Sequence, residues 1–417
     1  MKKKLIFIFL IVLIFIIIYE FRYKFYYKLP FNYKVIVLSI FSNDKTVKKI
    51  KNDSKTRFLP ETQLVDLNFK KIKIKEFAKE KHEVAHGMYT SLYPTFYIEK
   101  FENFVFLISK SGQVLYLDAK KLGDKKINFL KVESNLNLLD SRVLNFHISD
   151  ENIYILITRM MNENCETLQI KKSKIDLKNL NFVSLIDFKE CLPPGDISNI
   201  GITSFTSDNE KIIISTGDTE FLDKNKNSKI TRAQDKNSIF GKTLLIDTQD
   251  KIFSMGHRVV LGLYSNEDGT VILGTENGPR GGDEINKIEL NNNYGWDIAS
   301  YGEKYNAIKN SLSLLKSHSE NNFTEPLYSF MPSIAPTSLI KINNNFSPFW
   351  VDNFLMGSLV YEHLLRLKFS KNFDRLILIE PIYIGERIRD LIYLEDSRQI
   401  LLSLESTGSL GVIVPKE

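Results

Sequence analysis

From about residue 85 onward the chain is divided into short apolar runs, too short and too irregular in period for long helices. They include FVFLISKSGQVLYLD at 104–118, NIYILITRM at 152–160, KIIISTGD at 211–218, GKTLLIDTQD at 241–250, TVILGTENG at 270–278, NFLMGSLV at 353–360, HLLRLKF at 363–369, QILLSLE at 399–405 and GVIV at 411–414. Each is rich in Ile, Leu, Val, Phe or Tyr and is bounded by Gly, Asn, Asp or Ser, the pattern of strands joined by turns. Only 303–318 carries a helical pattern of comparable length. Many short strands at regular spacing make an all-β sandwich, barrel or propeller. A simple sandwich cannot absorb about 330 residues. Four-stranded blades of about 50 residues each divide that length into six. The expectation is an all-β, six-bladed β-propeller over 85–417, preceded by an N-terminal transmembrane anchor helix.

The anchor reading comes from MKKKLIFIFLIVLIFIIIYEFRYKFYYK at 1–28. Leu5–Tyr19 is apolar apart from one hydroxyl, and aromatics mixed with Arg22, Lys24 and Lys28 follow, as at a membrane interface. No small-residue cleavage site follows, which favours an uncleaved signal anchor over a removed signal peptide or a core helix. Lysines flank both ends, so the positive-inside rule discriminates little; the amino terminus adds to a cytoplasmic start. Residues 29–84 read as a lysine-rich stalk or lead-in. The first 34 residues hold seven basic side chains against Glu20, which accounts for the whole net charge of +6. Of 56 basic and 50 acidic residues, 49 of each sign remain for the rest of the chain. Bulk charge therefore gives no footprint for nucleic acid. The oligomeric state is not legible.

Cys165 and Cys191 are 26 positions apart in polar surroundings. They form one disulfide in an exported domain or stand as two unrelated thiols. No histidines at ligand spacing accompany them, so they do not make a zinc site.

GTENGPRGGDEINKIELNNNYGW, from Gly274 to Trp296, is the most unusual stretch. Pro279 lacks an N–H, and Gly278, Gly281 and Gly282 permit backbone that other residues avoid. Such a loop can turn carbonyls inward, and carbonyls with Asp283 and Glu284 suit a hard cation such as calcium. A tight, charged hairpin has the same composition. The full string resembles the PQQ-dependent glucose/sorbosone dehydrogenase family, where a segment close to E-x-G-P-x-G-G-D-E-x-N precedes N-Y-G-W and S-Y-G. Glu276 to Asn286, Asn293 to Trp296 and Ser300 to Gly302 match it. STGDTEF with AQDKNSIFGKTLLID (215–247), SMGHR (254–258), PSIAPTSL (332–339) and GERIRDL (385–391) resemble further family blocks in the same order. The resemblance covers roughly 85–415. It implies a six-bladed propeller, a PQQ–calcium site on its axis in enzymatic members, and an exported domain. That places the anchor in the inner membrane, single-pass, with the C-terminal domain in the periplasm or outside.

Residue by residue, the resemblance implies that the carbonyls of Gly278 and Pro279 hold the cofactor calcium. Glu284 and Tyr294 match positions near a structural calcium. Arg258 would lie against the flat cofactor, with Asn277 beside it. Arg387 and Arg389, two apart on a strand, would share a face and grip cofactor carboxylates. Oxidising a sugar hydroxyl needs a base for the hydroxyl proton. The family's histidine position falls on Ser198, or on Asn199 with a shift, and neither is a base near neutral pH. His257, in the G-H-R turn, is the candidate substitute. Two readings follow. One is a membrane-anchored dehydrogenase-like propeller using PQQ and calcium on aldose sugars or sugar alcohols. The other is a non-catalytic periplasmic binding or scaffold propeller that retains the calcium loop.

Overall fold

The computed structural model describes residues 65–77, 95–124, 126–138, 141–197, 201–204, 211–218, 221–223, 228–230, 232–246, 251–303 and 314–416. The anchor at 1–28 and most of the 29–84 stalk lie outside them. So do 304–313 of the helical stretch, while 314–318 carry no helix. Among the described residues no helix is long and apolar enough to cross a membrane.

Six sheets, antiparallel apart from one short parallel pairing of Glu133 and Ser134 with Asn179 and Leu180 at the edge of the first blade, form the blades of a propeller. Their innermost strands are Phe96–Phe101, Val143–Ser149, Ile202–Ser204, Val260–Ser265, Pro336–Ile342 and Ile388–Leu394, which define blades one to six. Each neighbours the next, and the sixth neighbours the first, so the strands enclose an axis. All six begin at one end, here the upper end. Ser204, 221–223, 228–230 and Lys251 are described in backbone only.

Closure uses a strand from outside the expected propeller. Leu67–Lys73, within the segment read as stalk, pairs antiparallel with Ser409–Pro415 from Leu67↔Pro415 to Lys73↔Ser409. It completes the sixth blade. Its sequence LNFKKIK leaves mostly exposed side chains, and its lysines keep this edge from pairing with other chains. That charge is why it reads as stalk.

Every blade is covered on both faces by its neighbours, which explains continuous apolar runs where half-buried strands would alternate. Ile212–Thr216 is buried at all five positions. Six apolar layers fill the six gaps between blades. Phe96 and Leu107 meet Leu401 and Val412 between blades one and six. Leu156 and Leu168 meet Ile212 and Leu244 between blades two and three. Truncating one such leucine to alanine costs about 2–5 kcal/mol.

Two features bear on the site. Cys165 and Cys191 lie on paired strands of the second blade and form a disulfide, with Cα atoms 5.3 Å apart. Four innermost strands carry a bulge near their start, between Val143 and Asn145, Val260 and Gly262, Pro336 and Leu339, and Ile388 and Asp390. Bulges re-aim side chains at the rims of closed sheets, and here all four sit at the upper end.

Candidate functional site

A repeated hydrogen bond marks the mouth of the axis at the upper end. In each blade the residue at the end of the second strand donates its N–H to the residue just before, or opening, the innermost strand. The donors are Lys110, Thr158, Ser215, Asn277, Leu359 and Glu405, and their acceptors are Thr95, Arg142, Gly201, Val259, Ala335 and Arg387. The distances run only from 2.7 to 2.9 Å. Twelve residues therefore occupy two rings of equivalent positions, and their side chains set what the mouth can bind.

On the fourth blade, Asn277–Gly282 joins the strands Ile272–Glu276 and Asp283–Lys287. The loop folds tightly on itself: a Cβ at Gly278 would stand 1.6 Å from the Gly282 carbonyl oxygen. Asp283 latches it. Its Oδ1 accepts from Gly278 N at 3.0 Å, and its Oδ2 accepts from Ile334 N and Ala335 N at 2.7 Å each, across to the fifth blade. Burial nevertheless pushes this carboxyl up to about 6, against the three backbone donors. Both oxygens of Asp283 are thus committed to the fold.

The G-H-R turn is equally committed. His257 is fully buried. Its Nε2 lies 2.8 Å from Ser254 Oγ and its Nδ1 3.0 Å from Glu276 Oε2. Its ring stacks on Tyr294 with centroids 4.6 Å apart. With both nitrogens engaged, His257 braces the turn and offers no substrate a free basic nitrogen. Glu276 also accepts from Arg258 N and, at 3.2 Å, from Asn286 Nδ2.

Arg258 Nη1 donates to the carbonyls of Asn277 at 2.9 Å and Gly278 at 2.8 Å, and its guanidinium lies 5.3 Å over the Trp296 ring. A protein cation thus already engages one carbonyl assigned to calcium. The Pro279 carbonyl accepts from Gly282 N at 3.0 Å and Ser333 Oγ at 3.2 Å. Tyr294 spends its hydroxyl on Lys287 O and Glu289 N, not on Glu284. Glu284 is buried, and burial followed by the charge of Glu276 raises its carboxyl well above the usual range. His318, which carries no motif, stands between Glu284 and Glu325, 3.7 Å from each. The buried Asn277 Oδ1 and Asn286 Oδ1 have no hydrogen-bond partner.

Blades six, one and two present cations. Arg389 is buried, and its Nη2 lies 2.8 Å from Glu405 Oε2. Arg387 Nε is 3.5 Å from the same oxygen. Both arginines reach one carboxylate, although Arg387 precedes the strand and a bulge lies between Ile388 and Asp390. Burial raises Glu405, but Arg389, Arg387 and Lys110 outweigh it and hold the carboxyl down at about 2. Lys110 is half-buried; burial, then Arg389, brings its ammonium down to about 7. Arg142 pairs with Glu166 at 2.7 Å and donates to Ile197 O at 2.6 Å. Glu405, Lys110 and Arg142 carry no motif. Each sits where a strand ends or begins at the mouth, a position legible only once strands are assigned to blades.

Ser198 and Asn199 lie outside the described residues. A cavity of about 400 Å³ occupies the axis, walled by the innermost strands from Ile202, Leu261 and Asp390 near their starts to His147, Lys341 and Tyr393 further down. The cavity reaches Ser338, Leu339, Asp390 and Leu391 of the family blocks, but Arg258, Gly278, Arg387 and Arg389 are not among its walls. Among the described residues no group of three His, Cys, Asp or Glu side chains able to hold a metal comes together, in the cavity or at the mouth. Between Arg258 and Arg387 the mouth is lined by Val259, Leu261 and Leu359, packed with Ala335.

The propeller fold agrees with comparisons to known proteins. The chain belongs to the glucose/sorbosone dehydrogenase family, whose model matches residues 100–412. An uncharacterised protein of Synechocystis is 31% identical over 160 residues, 38% of either chain. The aldose sugar dehydrogenase YliI of Escherichia coli is 27% identical over 217 residues, 47% of this chain and 57% of that one. The matches thus span 38% and 57% of those relatives' lengths. The apo-form structure of the soluble E. coli aldose sugar dehydrogenase superposes with a TM-score of 0.66 at 16% identity, covering 84% of this chain and all of that one. The PQQ-bound aldose sugar dehydrogenase of Streptomyces coelicolor gives 0.55 at 16% identity over 84% and 99% of the two chains. At these identities the structures establish a common fold.

Proposed function

We propose that this propeller binds PQQ and calcium at its upper end and acts on an aldose sugar or sugar-like alcohol, as a membrane-anchored, exported member of its family. The observation that supports this is a set of buried polar atoms without partners on both sides of the mouth. Asn277 Oδ1 is a buried acceptor beside the Gly278 carbonyl, and Arg389 Nε is a buried donor beside Arg387. Hard oxygens on one side suit a divalent cation, and guanidinium donors on the other suit carboxylates, so the residues fit the pair. Gly278 and Pro279 would hold the calcium through their carbonyls, with Asn277 adjacent; Glu284 and Tyr294 belong to a second, structural cation position. Arg258 would give up its hydrogen bond to Gly278 when the metal takes that carbonyl. Arg387 and Arg389 would bind the cofactor carboxylates and share Glu405 less closely. PQQ, when bound, supplies the acceptor for a hydride. The exported location draws support from the Cys165–Cys191 disulfide, since such bonds persist in oxidising compartments.

A second reading has its own observation. His257 is locked in its turn, and Ser198 or Asn199 replaces the family base. The chain would then be a periplasmic binding or scaffold propeller that keeps the loop without redox turnover. An absorbance titration of the full chain with PQQ and calcium, followed by dye reduction with a panel of aldoses, separates the two. Stoichiometric binding with turnover supports the dehydrogenase. Binding without turnover selects the scaffold, and the absence of PQQ binding defeats the first reading.

A further inference from the structure

The rings at the mouth are unevenly charged. Blades three, four and five contribute Gly201, Ser215, Val259, Asn277, Ala335 and Leu359, whereas blades six, one and two contribute Arg387, Glu405, Lys110 and Arg142 with Thr95 and Thr158. We propose that Lys110 and Arg142 form a subsite for an anionic group on the ligand, so that the sugar-like molecule is a sugar acid bearing a carboxylate. This rests on the reading that the upper end binds a sugar-like ligand, and it narrows the substrate class.

Four observations carry it. Lys110 and Arg142 hold ring positions on adjacent blades, and Val143 N donates to Lys110 O at 2.8 Å, so their backbones are fixed side by side. Four cations, Lys110, Arg142, Arg387 and Arg389, face three carboxylates: Glu166 and Glu405, already paired to three of them, and the buried Asp390, whose oxygens accept from Ile98 N, Leu391 N and Ser338 Oγ. Among the described residues no carboxylate lies within ion-pair distance of the Lys110 ammonium. Arg389 Nε and the Tyr97 hydroxyl are both buried without a partner on this same side, so the local shortage is of acceptors. Finally, a groove of about 480 Å³ lined by Arg142, Asn162, Glu166 and Gly195 opens beside Arg142.

The electrostatics give the subsite a signature. The charged groups acting on Lys110 are Arg389, Glu405, Arg142 and Arg387, and with burial they bring its ammonium down to about 7. At pH 8 the free protein therefore holds Lys110 largely neutral. A carboxylate docking beside it restores the charge, so binding takes up a proton.

Calorimetric titration of the full chain at pH 8, in buffers of different ionisation heat, tests this with D-galacturonate, D-galactose and acetate. Galacturonate is expected to bind about tenfold more tightly than galactose, the worth of one charge-assisted hydrogen bond, with proton uptake. Acetate is expected to bind more weakly than galacturonate. Lys110→Met is expected to lose the preference and the uptake, and Lys110→Arg to keep the preference without the uptake. Equal affinity for galacturonate and galactose, no galacturonate binding, or an unchanged preference in Lys110→Met overturns the proposal. Acetate binding as tightly as galacturonate overturns the sugar-acid class. PQQ titration of the same variants separates the proposals. In the parent chain, absence of the preference with PQQ binding intact defeats only this subsite, and a preference without PQQ binding defeats only the cofactor reading. If Lys110→Met weakens PQQ as much as galacturonate, the lysine belongs to the cofactor and the separate subsite fails.

Discussion

Blades three to five close the upper end with small or apolar ring residues and with a loop whose charged groups are satisfied inside the protein. Asp283 is consumed by three backbone donors, Glu276 by His257, Arg258 and Asn286, and His257 by Ser254 and Glu276. Blades six, one and two use the same backbone hydrogen bonds but surround one shared carboxylate, Glu405, with more positive charge than it can answer. A network that satisfies itself holds a shape. One that does not holds a position open for something else. Perturbing the carboxylates or His257 of the first half should therefore show mainly in stability, although Asn277 Oδ1 and Asn286 Oδ1 stay unpartnered there. Perturbing the second half should show in ligand affinity and pH dependence as well.

The largest effect is expected from Gly278→Ala. The new Cβ would meet the Gly282 carbonyl at 1.6 Å, so the loop must open and the Asp283 latch must shift. Urea unfolding should show a loss of about 3 kcal/mol or more. A loss below 1 kcal/mol would mean that the loop is not held as described.

Glu405→Gln probes the opposite half. The carboxyl sits at about 2 in the folded protein against an ordinary 4.5. Its charge therefore contributes stability at pH values above 4.5, and that contribution is lost as pH falls from 4.5 toward 2. The variant should be less stable by about 3 kcal/mol near neutrality, and the gap should narrow between pH 5 and pH 3. Sulfate should bind the variant more tightly than the parent, because two guanidiniums have lost their shared partner. A gap independent of pH would show that Glu405 is not holding the cations through its charge.

His257→Ala should cost about 2 kcal/mol through its two buried hydrogen bonds. If the chain turns over a substrate, the pH profile of kcat in this variant should keep its shape. A lost basic limb would return His257 to the chemistry and break the contrast between the halves.

Much of the architecture is legible in the sequence, because propeller strands are buried on both faces and so appear as unbroken apolar runs. The loop is legible because close approach at Gly278 and Gly282 admits glycine alone. The closing strand is not: in LNFKKIK only Leu67 and Ile72 are even partly buried, so no apolar pattern announces it. Nor is the charged half of the mouth. Thr95 and Glu405, whose side chains bond at 3.3 Å, are 310 residues apart. A lysine ending a strand such as FVFLISK looks like any solvated turn until closure of the circle brings Arg389 and Arg142 beside it. The disulfide was one of two open alternatives because spacing alone cannot pair two cysteines; strand pairing within the second blade does.

The smallest effect, and the sharpest test of the contrast, is Tyr97→Phe. In the self-satisfied half, deleting a buried polar group leaves its partners unpaired and costs stability. The Tyr97 hydroxyl has no partner to leave, and burial holds it protonated. Its removal should therefore change stability by less than about 1 kcal/mol, with stabilisation the expected sign, since an unpaired buried hydroxyl carries a desolvation penalty. The same change should weaken galacturonate binding if that hydroxyl meets the bound anion beside Arg389. A variant with unchanged stability and weakened binding would show that the unpaired groups of blades six, one and two are arranged for a ligand. A clear loss of stability with no effect on binding would mean that Tyr97 serves the fold, and that the two halves differ less than their hydrogen bonds indicate.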